Sequence, residues 1–223
     1  MKEFGLNLHD GHAIIHDGEN IILLDTGSPV TFHNQTTLLF LDKNYNVTTD
    51  AMGVNIPVLS DLVRYQITTL MGTDILGKYL IEFDYSRQKV TFRNADSDFE
   101  GTAIPIISLM NIPVVNLGIN GQQLRFFLDS GARLSYLNEK YTFGSKSLGE
   151  EEDFYPGIGR YRVPCFLMET LAGNSPFLVK YGTPPDRVIQ LLKACQVDGI
   201  IGYDFFARFR ITLDISGNRI YFD

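Results

Sequence analysis

The stretch Ile21-Ile22-Leu23-Leu24-Asp25-Thr26-Gly27-Ser28 returns further along the chain as Arg125-Phe126-Phe127-Leu128-Asp129-Ser130-Gly131-Ala132. In each copy an apolar run leads into Asp, a hydroxyl residue and Gly. With 17 Asp and 20 Gly in the chain, random order yields about 0.2 such tripeptides. Two occur, in matching surroundings, so the chain reads as an internal duplication.

The repeat extends both ways. Upstream, strands through Ala13-Ile14-Ile15 and Val114-Val115-Asn116 run to Asp17-Gly18 and Asn120-Gly121, dipeptides that turn hairpins. Each half thus begins with a β-hairpin whose second strand ends at the Asp. Downstream, Thr69-Leu70-Met71-Gly72 matches Gly199-Ile200-Ile201-Gly202. A short helical turn follows each, then a two-strand hairpin turning at 85–89 or 215–219. Asp25 and Gly72 are 47 residues apart and Asp129 and Gly202 are 73 apart, so the second half carries 26 extra residues, placed within 136–188. Helices are expected at 185–194, started by Pro185 and Asp186, and at 59–65 in the matching place. A polar linker is expected at 94–102. The fold class that follows is all-β with few short helices, in two related lobes spanning 1–98 and 99–223.

Composition bounds the function. The chain has 223 residues, 44% hydrophobic and 20% charged, an ordinary globular balance that argues against disorder. Its formal net charge is −7, so no basic footprint points to nucleic acid. No apolar run approaches the roughly 18 residues of a membrane span. Residues 1–17 hold no signal-peptide core, which favours a cytoplasmic location and leaves a removed signal open. Cys165 and Cys195 form one disulfide at most, and two reduced, partly buried thiols are the plainer expectation.

An apolar strand ending in Asp brings a carboxylate out of the core at a strand end, and Gly27 and Gly131 allow close backbone approach there. Duplication lets the two turns face each other. Two carboxyls at roughly 3 Å cannot both ionise, so they share a proton and titrate as a pair. One then serves as general base toward a water while the other donates a proton to a carbonyl. The Thr26 and Ser130 hydroxyls are placed to hydrogen-bond across the axis. Ser28 can donate to the pair where Ala132 cannot, which would leave the loops electrostatically unequal.

These paired loops resemble the active-site loops of the aspartic proteases. Thr69-Leu70-Met71-Gly72 and Asp198-Gly199-Ile200-Ile201-Gly202 are similar to the apolar-apolar-Gly segments of that family, and residues 202–222 to its C-terminal helix and hairpin. Each half is nearer a retropepsin subunit than a pepsin lobe in length. The resemblance implies a bilobal fold, two β-barrel-like lobes with a cleft between them, and an endopeptidase with Asp25 and Asp129 as catalytic residues. Thr26, Gly27, Ser28, Ser130, Gly131 and Ala132 would support them. It implies a polypeptide substrate, no metal and no organic cofactor. Both aspartates stand in one chain, so no dimer is needed to complete the site. Pro29 and Arg133 depart from the family's small hydroxyl residue after the loop. Arg133 has two readings, an ion pair with a nearby acid or a reach into the cleft toward substrate. The family's cleft is covered by a hairpin that often carries a Tyr. Residues 40–48 are one candidate, with Tyr45 either the covering, substrate-binding residue or an ordinary exposed turn residue. Residues 155–161 are the other, and are expected to do more of the covering.

Other features have plainer readings. His12 and His16 share a strand face but lack a third convergent ligand, so no metal site is expected. Asn34-Gln35-Thr36 and Asn46-Val47-Thr48 match the glycosylation sequon, which often arises by chance. The acidic run 150–153 reads as a solvated loop. Doubled Asp loops also occur on phosphates in actin-like ATPases and sugar kinases, but helices are few here. An aspartyl-phosphate site needs a second acid where Gly27 and Gly131 stand. A catalytically silent peptide-binding module on the same fold is the alternative function.

Overall fold

Alternation along the two apolar runs sets the architecture. In the strand Asn20–Leu24, Ile22 and Leu24 turn into a large central core while Leu23 joins Leu59 and Val63 on the other face. In the strand Gln122–Leu128, Phe126 and Leu128 enter the same central core, and Phe127 packs with Val188 and Leu192. Side chains of period two thus sandwich each strand between the central core and a flanking helix. The computed structural model describes residues 1–95, 97 and 103–222, and it is mostly β with short helices. The expected linker at 94–102 and the boundary between residues 98 and 99 lie largely outside the described residues.

The first half builds a five-stranded sheet in the order Asn7–His9, His12–Asp17, Asn20–Leu24, Thr69–Met71, Phe32–His33. The second half builds an eight-stranded sheet that contains the same unit, with Gln122–Leu128 paired parallel to Gly199–Ile201 as Asn20–Leu24 is to Thr69–Met71. A six-stranded sheet draws on both halves. In it Tyr79–Asp84 pairs antiparallel with Ile211–Asp214, Ile81 opposite Leu213. The extra length of the second half forms three long strands, Lys146–Tyr155, Gly159–Ala172 and Ser175–Gly182.

The helix Asp186–Ala194 lies where the sequence places one. The other helix is Ile56–Val63, starting three residues before the expected 59–65. Asn55 caps it by accepting from the Val58 amide at 3.2 Å, and Pro57 suits the first turn. It ends at Arg64, which is left-handed at φ 54°, so Tyr65 lies beyond it.

The hairpin expected at 40–48 forms at 37–46, from Thr37–Phe40 and Lys43–Asn46, but it covers the central core. Phe40 packs edge-on against Phe92 with centroids 5.2 Å apart, and Tyr45 is buried with its hydroxyl 2.6 Å from that of Tyr79. Tyr45 is therefore neither a covering residue nor an exposed turn residue. The two cysteines are free, Cys165 buried and Cys195 partly so.

Two hairpin turns repeat one device. Asp84 accepts from the Ser86 hydroxyl at 2.6 Å and the Arg87 amide at 3.0 Å; Asp214 accepts from Ser216 at 3.1 Å and the Gly217 amide at 2.8 Å. Burial alone would raise the Asp84 carboxyl, but the Ser86 and Arg87 hydrogen bonds outweigh it and hold the group below its ordinary value. As pH falls, the unfolded carboxyl protonates first and the Asp84 contribution declines. Asp84→Asn is expected to cost stability above about pH 5, with that cost fading as pH falls further below about 4, measured by urea unfolding across pH.

Candidate active site

Each Asp loop leaves its strand in the same way. The Asp25 amide donates to the Met71 carbonyl at 3.0 Å and the Asp129 amide to Ile201 at 2.9 Å, which continues the parallel ladders to the Asp. Thr73 N donates to Ser28 O at 2.8 Å, and Tyr203 N to Ala132 O at 3.0 Å. The amides of Gly72 and Gly202 donate to the hydroxyls of Thr31 and Ser135 at 3.0 and 3.1 Å. The duplication read from sequence thus extends to individual hydrogen bonds.

The loops are joined across the halves. Ser130 Oγ donates to Leu24 O at 2.8 Å and accepts from Thr26 N at 3.1 Å. Thr26 Oγ1 donates to Leu128 O at 2.7 Å and accepts from Ser130 N at 2.9 Å. Both residues are buried. The carboxyls of Asp25 and Asp129 meet beside them, hydrogen-bonded to each other. A Cβ built on Gly27 would overlap the Asp129 carboxyl, and one on Gly131 would lie 2.6 Å from Asp25 Cγ, so only glycine fits either position. The Gly27 amide donates to Asp25 Oδ1 at 2.9 Å and the Gly131 amide to Asp129 Oδ1 at 2.8 Å.

Burial pushes both carboxyls up. Asp25 is held well above the ordinary carboxylate value by burial, then by the Asp129 charge and the shared hydrogen bond. Asp129 is also raised by burial, against hydrogen bonds from Asp25 and from the Gly131 amide. Such a pair holds one proton between two groups.

The pair lines a cleft of about 380 Å³. Leu23, Leu59, Val63 and Leu70 form an apolar wall on the first-half side; Tyr136, Phe154, Tyr155 and Ile200 face it from the second. The first half covers the cleft with a small hairpin, Asp50–Ala51 and Val54–Asn55, whose tip exposes Met52 fully. The second half supplies the longer hairpin Lys146–Tyr155 and Gly159–Ala172, from which Asp153, Phe154, Tyr155 and Pro156 line the cleft. Tyr45 is not among the lining residues.

Ser28 and the acidic run 150–153 depart from what the sequence implies. The Ser28 hydroxyl donates to Val30 O at 2.8 Å and not to the carboxyl pair, because a two-residue turn brings that carbonyl nearer. The acidic run is part of a strand and is met by cations. Arg133 contacts Asp10 at 3.1 Å, Asp153 at 3.5 Å and Glu151 at 3.6 Å and donates to Glu152 O; Lys180 contacts Glu151 at 2.7 Å. Arg133 therefore pairs with acids and also lines the cleft. Asp153 is buried, accepting from Tyr136 Oη at 2.6 Å. The covering hairpin is also tied to the first half. Arg160 donates to Asp61 O and Leu62 O at 2.7 and 2.8 Å, near the end of the helix Ile56–Val63, and Arg64 meets Glu152 at 2.6 Å.

Among the described residues, no group of three or more His, Cys, Asp or Glu is placed to hold a metal. His12, read from sequence only against a metal site, lines the cleft. Nothing local in the sequence sets it, Asp153 or Tyr136 apart from other residues of their type.

No family model matches the sequence, and no curated protein matches it. Among solved structures the chain is similar to the retroviral protease-like domain of Ddi1 from Leishmania major. That match has 17% identity and a TM-score of 0.31, over 50% of this chain and 94% of that one.

Ser130→Ala strips partners from Leu24 O and Thr26 N together. It is expected to cost about 2 kcal/mol in urea unfolding. Arg160→Ala is expected to speed amide exchange at 153–159 by mass spectrometry while changing global stability by less than about 1 kcal/mol.

Proposed function

We propose that the chain is an aspartic endopeptidase that hydrolyses peptide bonds with one water activated by Asp25 and Asp129. The observation that carries this reading is the buried, hydrogen-bonded carboxyl pair lining an apolar cleft. Two carboxyls that share one proton are at once a base and an acid. The ionised member takes a proton from the water as its oxygen attacks the scissile carbonyl. The protonated member gives its proton to the carbonyl oxygen. Collapse of the tetrahedral adduct then moves a proton to the departing amine and restores the pair. No step requires a metal or an organic cofactor.

The cleft suits an extended polypeptide. Its apolar walls take alternate side chains, and the covering hairpins offer backbone groups for strand-like pairing. The two aspartates belong to one chain, so the reading requires no second copy. Thr26 and Ser130 hold the loops in register, and Gly27 and Gly131 admit the opposite carboxyl.

Cleavage of a diverse peptide library between about pH 3 and pH 8 tests the reading. Turnover is expected to follow a bell, because the pair works only with one proton bound. Asp25→Asn and Asp129→Asn should each lower turnover by at least about 10³-fold while leaving peptide binding in place. A statine-type transition-state mimic should block the wild type. A folded wild type that binds peptides but cleaves none at any pH would overturn the reading in favour of a silent binding module.

A further inference from the structure

The two halves match at their Asp loops but differ in the strand that lies against them. In the first half Ile14 pairs with Leu23, and in the second Val114 pairs with Phe127. Leu23 and Phe127 each stand two residues before the Asp, so the same register aligns His12 with Ile112. Both are buried. Ile112 has nothing to donate. His12 places Nδ1 2.8 Å from the carbonyl oxygen of Gly131, in the loop of the opposite half.

A carbonyl only accepts, so this contact puts the imidazole proton on Nδ1. The Gly131 carbonyl belongs to the same peptide unit as the Ala132 amide. That amide closes the turn by donating to the backbone carbonyl of Asp129 at 3.3 Å, and the amide of Gly131 itself donates to Asp129 Oδ1 at 2.8 Å. Holding the Gly131 carbonyl and closing the turn behind it fixes Gly131 itself, and with it the direction of the Gly131 amide toward the carboxyl. In the first loop the Gly27 amide likewise donates to Asp25 Oδ1 at 2.9 Å, but the residue aligned with His12 is the aliphatic Ile112.

We infer that His12 is a positioning residue for Asp129: neutral, with its proton on Nδ1, it holds the Gly131 carbonyl so that the Gly131 amide stays on the Asp129 carboxyl, and makes Asp129 the member of the pair that carries the negative charge. Asp25 then carries the shared proton. This deepens the proposed function, since it rests on the two carboxyls acting as a proton-sharing pair.

The surroundings of His12 favour the neutral ring. Burial is the largest influence and pushes it down to about 4, against the Gly131 hydrogen bond and the Asp10 charge, with Arg133 and His9 also lowering it. The covering hairpin presents Phe154 to the ring, centroids 5.7 Å apart, flanked by Asp153 and Tyr155. Below about pH 4 the ring gains a proton but keeps Nδ1–H, so the contact itself survives.

The test reads protonation directly, so it does not depend on the chain cleaving anything. Carbon-13 NMR of the aspartate side chains follows Asp25 and Asp129 through pH, and nitrogen-15 NMR gives the His12 tautomer. In the wild type the Nδ1–H form is expected between about pH 5 and pH 8, with Asp129 ionising before Asp25. His12→Leu should raise the Asp129 midpoint by about half a pH unit or more, because the aligned amide stabilises the ionised form. His12→Asn, whose side-chain amide can replace the Nδ1 donor, should stay near the wild-type midpoint. If the protein cleaves peptides, His12→Leu should lower kcat about tenfold with KM little changed, and His12→Asn should restore it. An Nε2–H tautomer in the wild type, or an Asp129 midpoint unmoved in His12→Leu, overturns the inference. If His12→Leu does not fold, the tautomer and the His12→Asn midpoint decide, and an Nε2 proton or a midpoint displaced by half a unit in His12→Asn overturns it. A shifted midpoint in a chain that cleaves nothing leaves the positioning role standing and removes only the peptidase reading.

Discussion

Four hydrogen bonds made by two buried hydroxyls hold the two halves together at their centre. Thr26 and Ser130 each donate to a carbonyl one strand end away and accept from the other's amide. Every polar group at this crossing is satisfied by the opposite half, so neither loop reaches the same state alone. The carboxyl pair depends on this crossing. Asp25 and Asp129 stand one residue before the hydroxyls, and the distance between the loops sets how far the carboxyls are pressed together. The overlap that any side chain at position 27 or 131 would cause shows how little room remains.

Around this symmetric centre the protein is unequal. The first half covers the cleft with a four-residue pair of short strands and an exposed tip, whereas the second sends over a long hairpin anchored to the first-half helix by Arg160 and Arg64. Arg133 joins the second Asp loop to that hairpin and to Asp10 of the first half. The inequality reaches the surroundings of the pair, where His12 meets the Gly131 carbonyl and the aligned residue of the other half is Ile112. Burial raises both carboxyls.

The Asp loops were legible because their signal is local: an apolar run, a hydroxyl and a glycine within eight residues, written twice. The flanking hairpins and the helix Asp186–Ala194 were legible from turn dipeptides and helix-start residues. Other residues were misread because their partners are distant in sequence. Tyr45 resembles a turn tyrosine until Tyr79 supplies a buried hydroxyl 34 residues on. Residues 150–153 resemble a solvated acidic loop until Arg133, Arg160 and Lys180 converge on them. Ser28 failed for a local reason, since the Val30 carbonyl takes its hydroxyl.

By itself the sequence determined the duplicated β framework, the two aspartates and the glycines and hydroxyls beside them, because these follow from periodicity and from the conformational needs of single residues. Tertiary structure alone decided that the first-half hairpin at the cleft is 50–55 and not 40–48, where Arg133 and the acidic run find their charges, and that His12 touches the opposite Asp loop. Those are contacts between segments dozens of residues apart. Hydrogen bonds and ion pairs act over a few ångströms, and only the closed fold brings such segments that near.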